Sequence, residues 1–406
     1  MIPKRGRWFE KAGRLIAEFG QVLVVTVVLF VLLNVVIGLA WQGRTDSNKP
    51  FTPEIPLLWT YTMDQFKKGY PDWNEKMISE FILERTRIDY RYDPFLQFVP
   101  KAQTGKYINI TGDGGRKGNY PVVWPPVTSQ KSVLFFGGST AFSISVPDLD
   151  TIPARLEGLL NRKFSNLRVY NFGVPSHYST LERIHLEQLL LNGVRPSLVI
   201  FFDGLNDFYF YEDRPAYTAT LSDFVENMKE KQEQMRQTSV AELSEELAKR
   251  IPVVRFLLSK MNPKALVSKS AGQPISTDRR FSEKDIERVM SRMRSNYQVI
   301  DALGKRFGFR TLVVLQPVPT FKYDLKNHAF YQGNDESFFG GHMASRTGYR
   351  LLEQRLNTWR AGLSVLWLGN IQENRKENLY IDSVHYTVRF SDEIAQKIVK
   401  EVEGLL

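Results

Sequence analysis

From about residue 131 onward, short apolar runs alternate with segments in which apolar residues recur at helical spacing. The apolar runs predict buried strands at 132–136, 167–172, 198–202, 310–315 and 363–368. The amphipathic segments predict helices at 151–164, 180–192, 282–307, 351–361 and 391–405. Strands separated by helical crossovers indicate a parallel sheet with helices on both faces, so the expected fold class is α/β, a three-layer α/β/α sandwich.

A less regular region precedes this predicted domain. Residues 42–60 are rich in Pro, Thr, Asn and Gly, which is typical of a stalk. One helix is predicted near 70–88, and the stretch from Tyr90 to Pro126 has the composition of loops. Its apolar content is thin, so we expect it to pack against the main domain. The predicted organisation is therefore a stalk and N-terminal extension at 42–130 and a main domain at 131–406.

Residues 208–282 interrupt the alternation of strands and helices. They contain a long charged helical stretch followed by a polar loop. We interpret them as a helical insertion on the side of the sheet where the strands end. The insertion could form a lid or a docking surface, and a solvated helix hairpin is the open alternative.

An almost wholly apolar run at 22–41 contains no charged residue and is interrupted only by Thr26 and Asn34. A helix of about 20 such residues is long enough to cross a membrane, so we predict one N-terminal transmembrane helix. Residues 1–21 carry an excess of positive charge, which favours a cytoplasmic N-terminus and an extracytoplasmic main domain in the cell membrane. A signal peptide cleaved near Ala40 and a buried helix of a soluble fold are the alternatives.

Composition narrows the chemistry. The 406-residue chain has no cysteine, which excludes disulfides, thiolate metal sites and a cysteine nucleophile. Its five histidines show no metal-ligand spacing, so we expect no metal and no cofactor. The net charge is +10, but no basic stripe with interleaved aromatic residues suggests nucleic acid as a partner. Solvated surface charge explains the balance, with an anionic glycan or a membrane surface as the alternative.

Four short blocks carry candidate chemistry at strand ends and before the last helix. They are Gly137-Gly138-Ser139-Thr140, Asn171-Phe172-Gly173, Gly204-Leu205-Asn206-Asp207 and Asp382-Ser383-Val384-His385. The carboxyl ends of parallel strands meet at one edge of a sheet, where ligands bind. There Ser139 could act as nucleophile, His385 as base and Asp382 as its orienting carboxylate. The N–H of Gly173 and the side-chain amide of Asn206 could stabilise an oxyanion.

The first three blocks each have an ordinary structural interpretation when they are considered alone. The Asp382–His385 pair could instead bind a metal, although no further ligands are evident in the sequence. Ser139 could merely cap a helix, and Gly173 and Asn206 could be turn residues. A phosphate-binding loop would need a lysine after the glycines, and this chain has none there. We interpret Asp203 and Asp207 as residues that brace their loop. The other four histidines are expected to be ordinary polar or core residues: His177, His185, His328 and His342. His177 is also a candidate to line the pocket.

Together the four blocks resemble those of the SGNH hydrolases, also called GDSL-like lipases and esterases. The resemblance covers about 132–405, with 208–282 unaccounted for. The serine block usually reads Gly-Asp-Ser in that family, whereas Gly138 stands here in place of the aspartate. The resemblance, to the membrane-anchored bacterial type, implies an α/β/α fold and ester hydrolysis. It further implies that Ser139, His385 and Asp382 are catalytic and that the N–H groups of Ser139 and Gly173, with Asn206, form the oxyanion hole.

The sequence thus predicts a membrane-anchored, extracytoplasmic serine esterase or O-acyltransferase. We expect it to act on acyl esters, with acetyl esters of a cell-surface polysaccharide as the favoured class. Its expected partners are an acylated glycan or other ester, the lipid bilayer through 22–41, and other membrane proteins. The alternative is a catalytically weak accessory or scaffold subunit of an envelope polysaccharide or membrane acyltransferase complex.

Overall fold

The computed structural model describes residues 17–33, 61–119, 123–127, 130–209, 282–331, 333 and 336–406. The chain divides into two compact units, and the first contributes only residues 17–33 to the described part. These residues are helical, and nearly all of their side chains are exposed. Within the described ranges, no helix combines the length and apolarity needed to span a membrane. The predicted segment 22–41 extends beyond residue 33, and nearly all of the predicted insertion at 208–282 also lies outside the described residues.

The second unit is built around a five-stranded sheet. The described strands are β1 (Tyr90–Asp93), β2 (Gln97–Pro100), β3 (Lys131–Gly137), β4 (Leu167–Asn171), β5 (Leu198–Asp203), β6 (Arg310–Leu315) and β7 (Val365–Trp367). The order in the sheet is β4-β3-β5-β6-β7, and every neighbouring pair is parallel. The predicted parallel sheet is confirmed, although β7 is shorter than the predicted 363–368. Strands β1 and β2 form a separate antiparallel hairpin within the stretch that we expected to be loops.

Helices flank this sheet. Those described in the second unit are α1 (Met63–Gly69), α2 (Glu75–Thr86), α3 (Ser139–Phe142), α4 (Ile152–Leu160), α5 (Ser179–Leu191), α6 (Leu205–Tyr209), α7 (Glu283–Phe307), α8 (Ala344–Gln354), α9 (Leu356–Arg360) and α10 (Val388–Leu405). The predicted helix at 351–361 is wrong in its bounds. It begins earlier, at Ala344, and the chain leaves helical geometry at Arg355 before α9.

Alternate residues of the central strands supply two separate cores, as the pleat of a strand requires. One face packs against α4 and α10 through a cluster that includes Phe135, Ile200, Phe202, Leu156 and Ile394. The other face packs against α5, α7 and α8 through a cluster that includes Phe136, Phe201, Leu186, Met293 and Leu352. The strands are buried on both sides, which explains why they are continuous apolar runs. The α/β/α layering is therefore observed.

The N-terminal extension forms a third cluster against the main domain. Its members include Phe66, Phe81 and Ile108 from the extension, together with Phe142 and Ile381 from the domain. Phe142 ends the short helix that begins at Ser139, and Ile381 directly precedes Asp382. The extension thus packs against both segments that carry candidate catalytic residues.

Candidate active site

Ser139 lies where strand β3, between β4 and β5 in the sheet, is followed by a helix. The strand ends at Gly137, and Ser139 is the first residue of α3, with Gly138 as the N-cap. Phe142 donates its N–H to the carbonyl oxygen of Gly138 over 3.0 Å, which closes the first turn. The side chain of Ser139 is thereby presented, half-buried, at the carboxyl end of the sheet.

Asp382 and His385 lie on a tight loop just before α10. The N–H of Ile381 donates to the carbonyl oxygen of His385 over 2.8 Å, so the chain folds back on itself. Oδ1 of Asp382 accepts the backbone N–H groups of Val384 at 3.1 Å and His385 at 2.9 Å. This Asx-type turn brings both side chains to the same side of the loop. Thr387 then caps α10 by accepting the N–H of Phe390.

The three predicted catalytic side chains form one hydrogen-bonded chain. Nε2 of His385 lies 2.8 Å from Oγ of Ser139. Nδ1 of His385 lies 2.7 Å from Oδ1 and 2.8 Å from Oδ2 of Asp382. The side chains of His385 and Asp382 are 15% and 6% exposed, so water has little access to the carboxylate. A hydroxyl, an imidazole and a buried carboxylate in this order can activate the hydroxyl as a nucleophile.

Arg85 is a fourth member of the site that sequence reasoning missed. Its Nη2 donates to Oδ2 of Asp382 over 2.9 Å, and its side chain is only 9% exposed. Burial alone would raise the pKa of Asp382, but the charges of His385 and Arg85 lower it below its ordinary value. The carboxylate is therefore ionised throughout the neutral range. No local pattern around Arg85 distinguishes it from the other basic residues of its helix.

The two candidate oxyanion donors both pack against the serine segment. The N–H of Gly173 donates to Oδ1 of Asn171 over 2.9 Å, and a Cβ at residue 173 would lie 2.2 Å from the backbone nitrogen of Phe142. Only glycine permits this approach. Nδ2 of Asn206 donates to the carbonyl oxygen of His177 over 2.7 Å. Both predicted donors thus adjoin the segment 138–142. Each of them already donates a hydrogen bond within the protein, Gly173 to Asn171 and Asn206 to His177.

Gly138 departs from the Gly-Asp-Ser pattern for a steric reason. A Cβ at residue 138 would lie 2.1 Å from Nδ2 of Asn206 and 3.0 Å from the carbonyl oxygen of His177. Both distances are well below normal contact. The amide of Asn206 occupies the space into which an aspartate side chain would extend.

The remaining histidines are not arranged as bases toward Ser139. His177 is 1% exposed and its Nε2 lies 3.1 Å from the carbonyl oxygen of Phe98, so its ring contacts the β1–β2 hairpin. Burial lowers the pKa of His177 and His342 to about 3 and that of His185 and His328 to about 4. These rings are neutral at physiological pH. In the described part of the chain, no group of three or more His, Asp or Glu side chains is arranged to hold a metal ion.

The carboxylates beside Asn206 are structural in their contacts. Oδ2 of Asp203 accepts the hydroxyl of Tyr297 at 2.8 Å, and Oδ1 of Asp207 accepts the hydroxyl of Ser179 at 2.6 Å. Burial raises the pKa of Asp203 to about 7 and that of Asp207 above its ordinary value. These bonds connect the end of β5 and the short helix α6, which carries Asn206, to α7 and α5, and so they fix the position of the amide.

No family model matches the chain, and no curated protein matches it either. Among solved structures, the chain is similar to a lipase/acylhydrolase from Enterococcus faecalis, with a TM-score of 0.35 and 11% identity over 68% of this chain and 96% of that one. For a GDSL-like lipase from Bacteroides thetaiotaomicron, the TM-score is 0.33 and the identity 11% over 70% of this chain and 93% of that one. For an acetyl xylan esterase from Geobacillus stearothermophilus, the TM-score is 0.33 and the identity 12% over 67% of this chain and 94% of that one. These values are too low to assign an activity. The hydrogen-bonded trio at the carboxyl end of the parallel sheet is an arrangement that can make Ser139 a nucleophile.

Proposed function

We propose that the protein cleaves carboxylic esters through a covalent acyl intermediate on Ser139. The observation that supports this most directly is the continuous hydrogen-bonded chain from Oγ of Ser139 through His385 to Asp382. A serine hydroxyl is a weak nucleophile unless an adjacent base removes its proton. His385 is placed to do so, and Asp382 orients its ring and stabilises the imidazolium that forms.

In the first half of the reaction, Nε2 of His385 takes the proton of Ser139 while Oγ bonds to the ester carbonyl carbon. The carbonyl oxygen then carries the negative charge, which the N–H of Ser139 and the second N–H of the Asn206 amide would stabilise. The N–H of Gly173 would join them once it leaves Oδ1 of Asn171. The tetrahedral intermediate collapses and the C–O bond to the alcohol breaks. The leaving alkoxide receives the proton from His385, and the acyl group stays on Ser139.

In the second half, a hydroxyl compound attacks the acyl carbon and His385 takes its proton. The acyl–Oγ bond breaks, and the proton returns to Ser139. If water is the acceptor, the product is a carboxylic acid and the protein is an esterase. If a sugar hydroxyl is the acceptor, the acyl group is transferred and the protein is an O-acyltransferase.

The proposed setting is the outer face of the cytoplasmic membrane. The uncharged apolar run at 22–41 and the basic residues before it support a single-pass anchor with an extracytoplasmic catalytic unit. A tether there would hold the site beside the cell-surface polysaccharides, whose acetyl esters we propose as substrate. Fusions of a reporter enzyme active only outside the cytoplasm would test the orientation. A fusion after residue 406 should be active, and the same fusion without residues 22–41 should be inactive. An inactive fusion after residue 406 would contradict the proposed orientation.

A fluorophosphonate probe tests the proposed chemistry because it reacts readily with activated serines. The full-length wild-type protein is expected to be labelled on Ser139 and to cleave p-nitrophenyl acetate. Ser139→Ala is expected to abolish both, whereas Ser165→Ala, which changes an exposed serine, should leave both unchanged. Unchanged cleavage by Ser139→Ala would refute the assignment of the nucleophile. A wild-type protein that neither reacts nor cleaves would favour the accessory-subunit alternative.

A further inference from the structure

Arg85 touches the candidate triad from outside the main domain. It lies in the last turn of α2, in the N-terminal extension, and is separated from Asp382 by 297 residues along the chain. Its Nη2 and Oδ2 of Asp382 are 2.9 Å apart, and the two side chains are 9% and 6% exposed. An ion pair this deeply buried loses the hydration of both groups, so its presence requires a physical reason.

The helix that carries Arg85 is held in place by other contacts. Phe81 and Ile82 of α2 lie in the apolar cluster between the extension and the main domain. Oε1 of Glu84 accepts the N–H groups of Tyr107 at 2.9 Å and Ile108 at 2.6 Å. The extension therefore has apolar and polar contacts of its own that do not involve Arg85. The ion pair is better explained by what it does to Asp382.

Arg85 completes the set of contacts around the carboxylate. Oδ1 of Asp382 accepts two backbone N–H groups, from Val384 and His385. Oδ2 accepts the guanidinium, and both oxygens face Nδ1 of His385. Without Arg85, Oδ2 would keep only the imidazole contact, and the carboxylate could rotate away from the ring.

We propose that Arg85 is a positioning residue for the reaction, which holds Asp382 ionised and directed at Nδ1 of His385. This inference rests on the proposed function and deepens it, since it makes the N-terminal extension part of the active site. Arg85 would act through Asp382 and would not touch the substrate.

The other groups that face the pair are neutral near pH 7. Burial raises the pKa of Tyr61 to about 12 and that of Tyr70 further above its ordinary value. Burial also lowers the pKa of His328 to about 4 and of His342 to about 3. The steady positive charge facing Asp382 therefore comes from Arg85.

The test compares Arg85→Gln and Arg85→Lys with wild type in the full-length chain. We expect Arg85→Gln to lower kcat for p-nitrophenyl acetate by about 10- to 100-fold, the loss typical when the group that orients a metal-binding side chain is removed, with little change in KM. Arg85→Lys, which keeps the charge, should restore part of kcat. The matched control is Arg87→Gln, an exposed arginine two residues further along, which should behave as wild type.

A role in folding alone would give a different result. Arg85→Gln with a lower Tm but a wild-type kcat would overturn the proposal. If Arg85→Gln does not fold, Arg85→Lys decides through the downfield proton resonance of the His385 Nδ1–H group. That resonance should shift and kcat should fall, because the ammonium group of lysine lacks the planar fork of the guanidinium. A wild-type resonance together with a wild-type kcat would overturn the proposal. A wild-type protein that fluorophosphonate does not label would instead refute the proposed function, and the role of Arg85 with it.

Discussion

The side-chain amide of Asn206 packs directly on the backbone of Gly138, so closely that a Cβ at residue 138 would lie 2.1 Å from Nδ2. Gly138 has φ −80° and ψ −150°, a conformation that any residue can adopt. A side chain at residue 138 would therefore have to displace the amide of Asn206, whereas the backbone conformation itself does not favour glycine.

Gly138→Ala should impair the reaction without distorting the chain elsewhere. The added methyl group would displace the amide of Asn206, and losing one oxyanion donor costs about 10²- to 10³-fold in kcat. Gly138→Asp should be at least as damaging. The measurement is kcat for p-nitrophenyl acetate, with Gly118→Ala as control, because a Cβ there would meet Ala154 at an ordinary 3.8 Å. Wild-type turnover by Gly138→Ala would show that the amide is not needed where it lies.

Asn206→Ala tests the same donor directly. If the amide stabilises the developing oxyanion, its removal should lower kcat by about 10²- to 10³-fold and leave KM nearly unchanged. Fluorophosphonate labelling of Ser139 should also slow, since the phosphonyl oxygen uses the same donors. Asn192→Ala, at an exposed asparagine that ends α5, is the control. An equal rise in KM with kcat intact would instead assign Asn206 to ordinary substrate binding.

The central sheet was predictable because its strands are buried on both faces. Such strands must be nearly continuous apolar runs, as in Leu198–Asp203, and their lengths limit the alternatives. The β1–β2 hairpin was not predictable in the same way. It has few buried positions, and its alternation is obscured by Asp93, Pro94 and Pro100. Helix α8 was partly missed because Gly348 interrupts its pattern; the ring of Phe208 packs where a Cβ would be.

The candidate site likewise combines residues that were predictable from the sequence with residues that were not. Ser139, Asn206 and the Asp382–His385 pair follow strands or precede a helix, so parallel topology places them at one edge. Arg85 contacts Asp382 across 297 residues, through packing between the extension and the domain. No periodicity or local spacing encodes such a contact. The hydrogen bond from the N–H of Gly173 to the side chain of Asn171, two residues earlier, was not predicted either.

Arg116→Met should destabilise the protein strongly. The Arg116 side chain is fully buried, and its nitrogens donate to Oδ1 of Asp148 and to the carbonyl oxygens of Phe142, Ser143 and Val146 at 2.6–2.9 Å. Removing the guanidinium leaves three carbonyl oxygens without this donor and the Asp148 carboxylate, which keeps the hydrogen bonds from Asn109, without its countercharge. The expected loss is about 3–5 kcal/mol.

Urea unfolding of Arg116→Met and wild type would measure this loss. The control is Lys117→Met at the next, exposed residue, which should change the free energy of unfolding by less than about 0.5 kcal/mol. Equal effects of the two substitutions would contradict the structural role of Arg116. Three of the acceptors of Arg116, in Phe142, Ser143 and Val146, lie within seven residues of Ser139. Arg116→Met should therefore also slow fluorophosphonate labelling in any folded fraction.

Glu157 should make stability fall as the pH rises. It lies in α4, where its Oε2 accepts the N–H of Val169 at 2.7 Å, and burial raises its pKa to about 7. The unfolded carboxyl loses its proton near its ordinary value, so between about pH 4.5 and 7 the folded state binds more protons and the free energy of unfolding decreases. Glu157→Gln keeps the acceptor and removes the titration. Its stability advantage over wild type should grow by about 1–3 kcal/mol from pH 5 to pH 8 in urea unfolding. The control is Glu401→Gln at an exposed glutamate, whose free energy of unfolding should differ from that of wild type by the same amount at both pH values. The same constant difference for Glu157→Gln would mean that the Glu157 carboxyl is not held protonated in the folded protein.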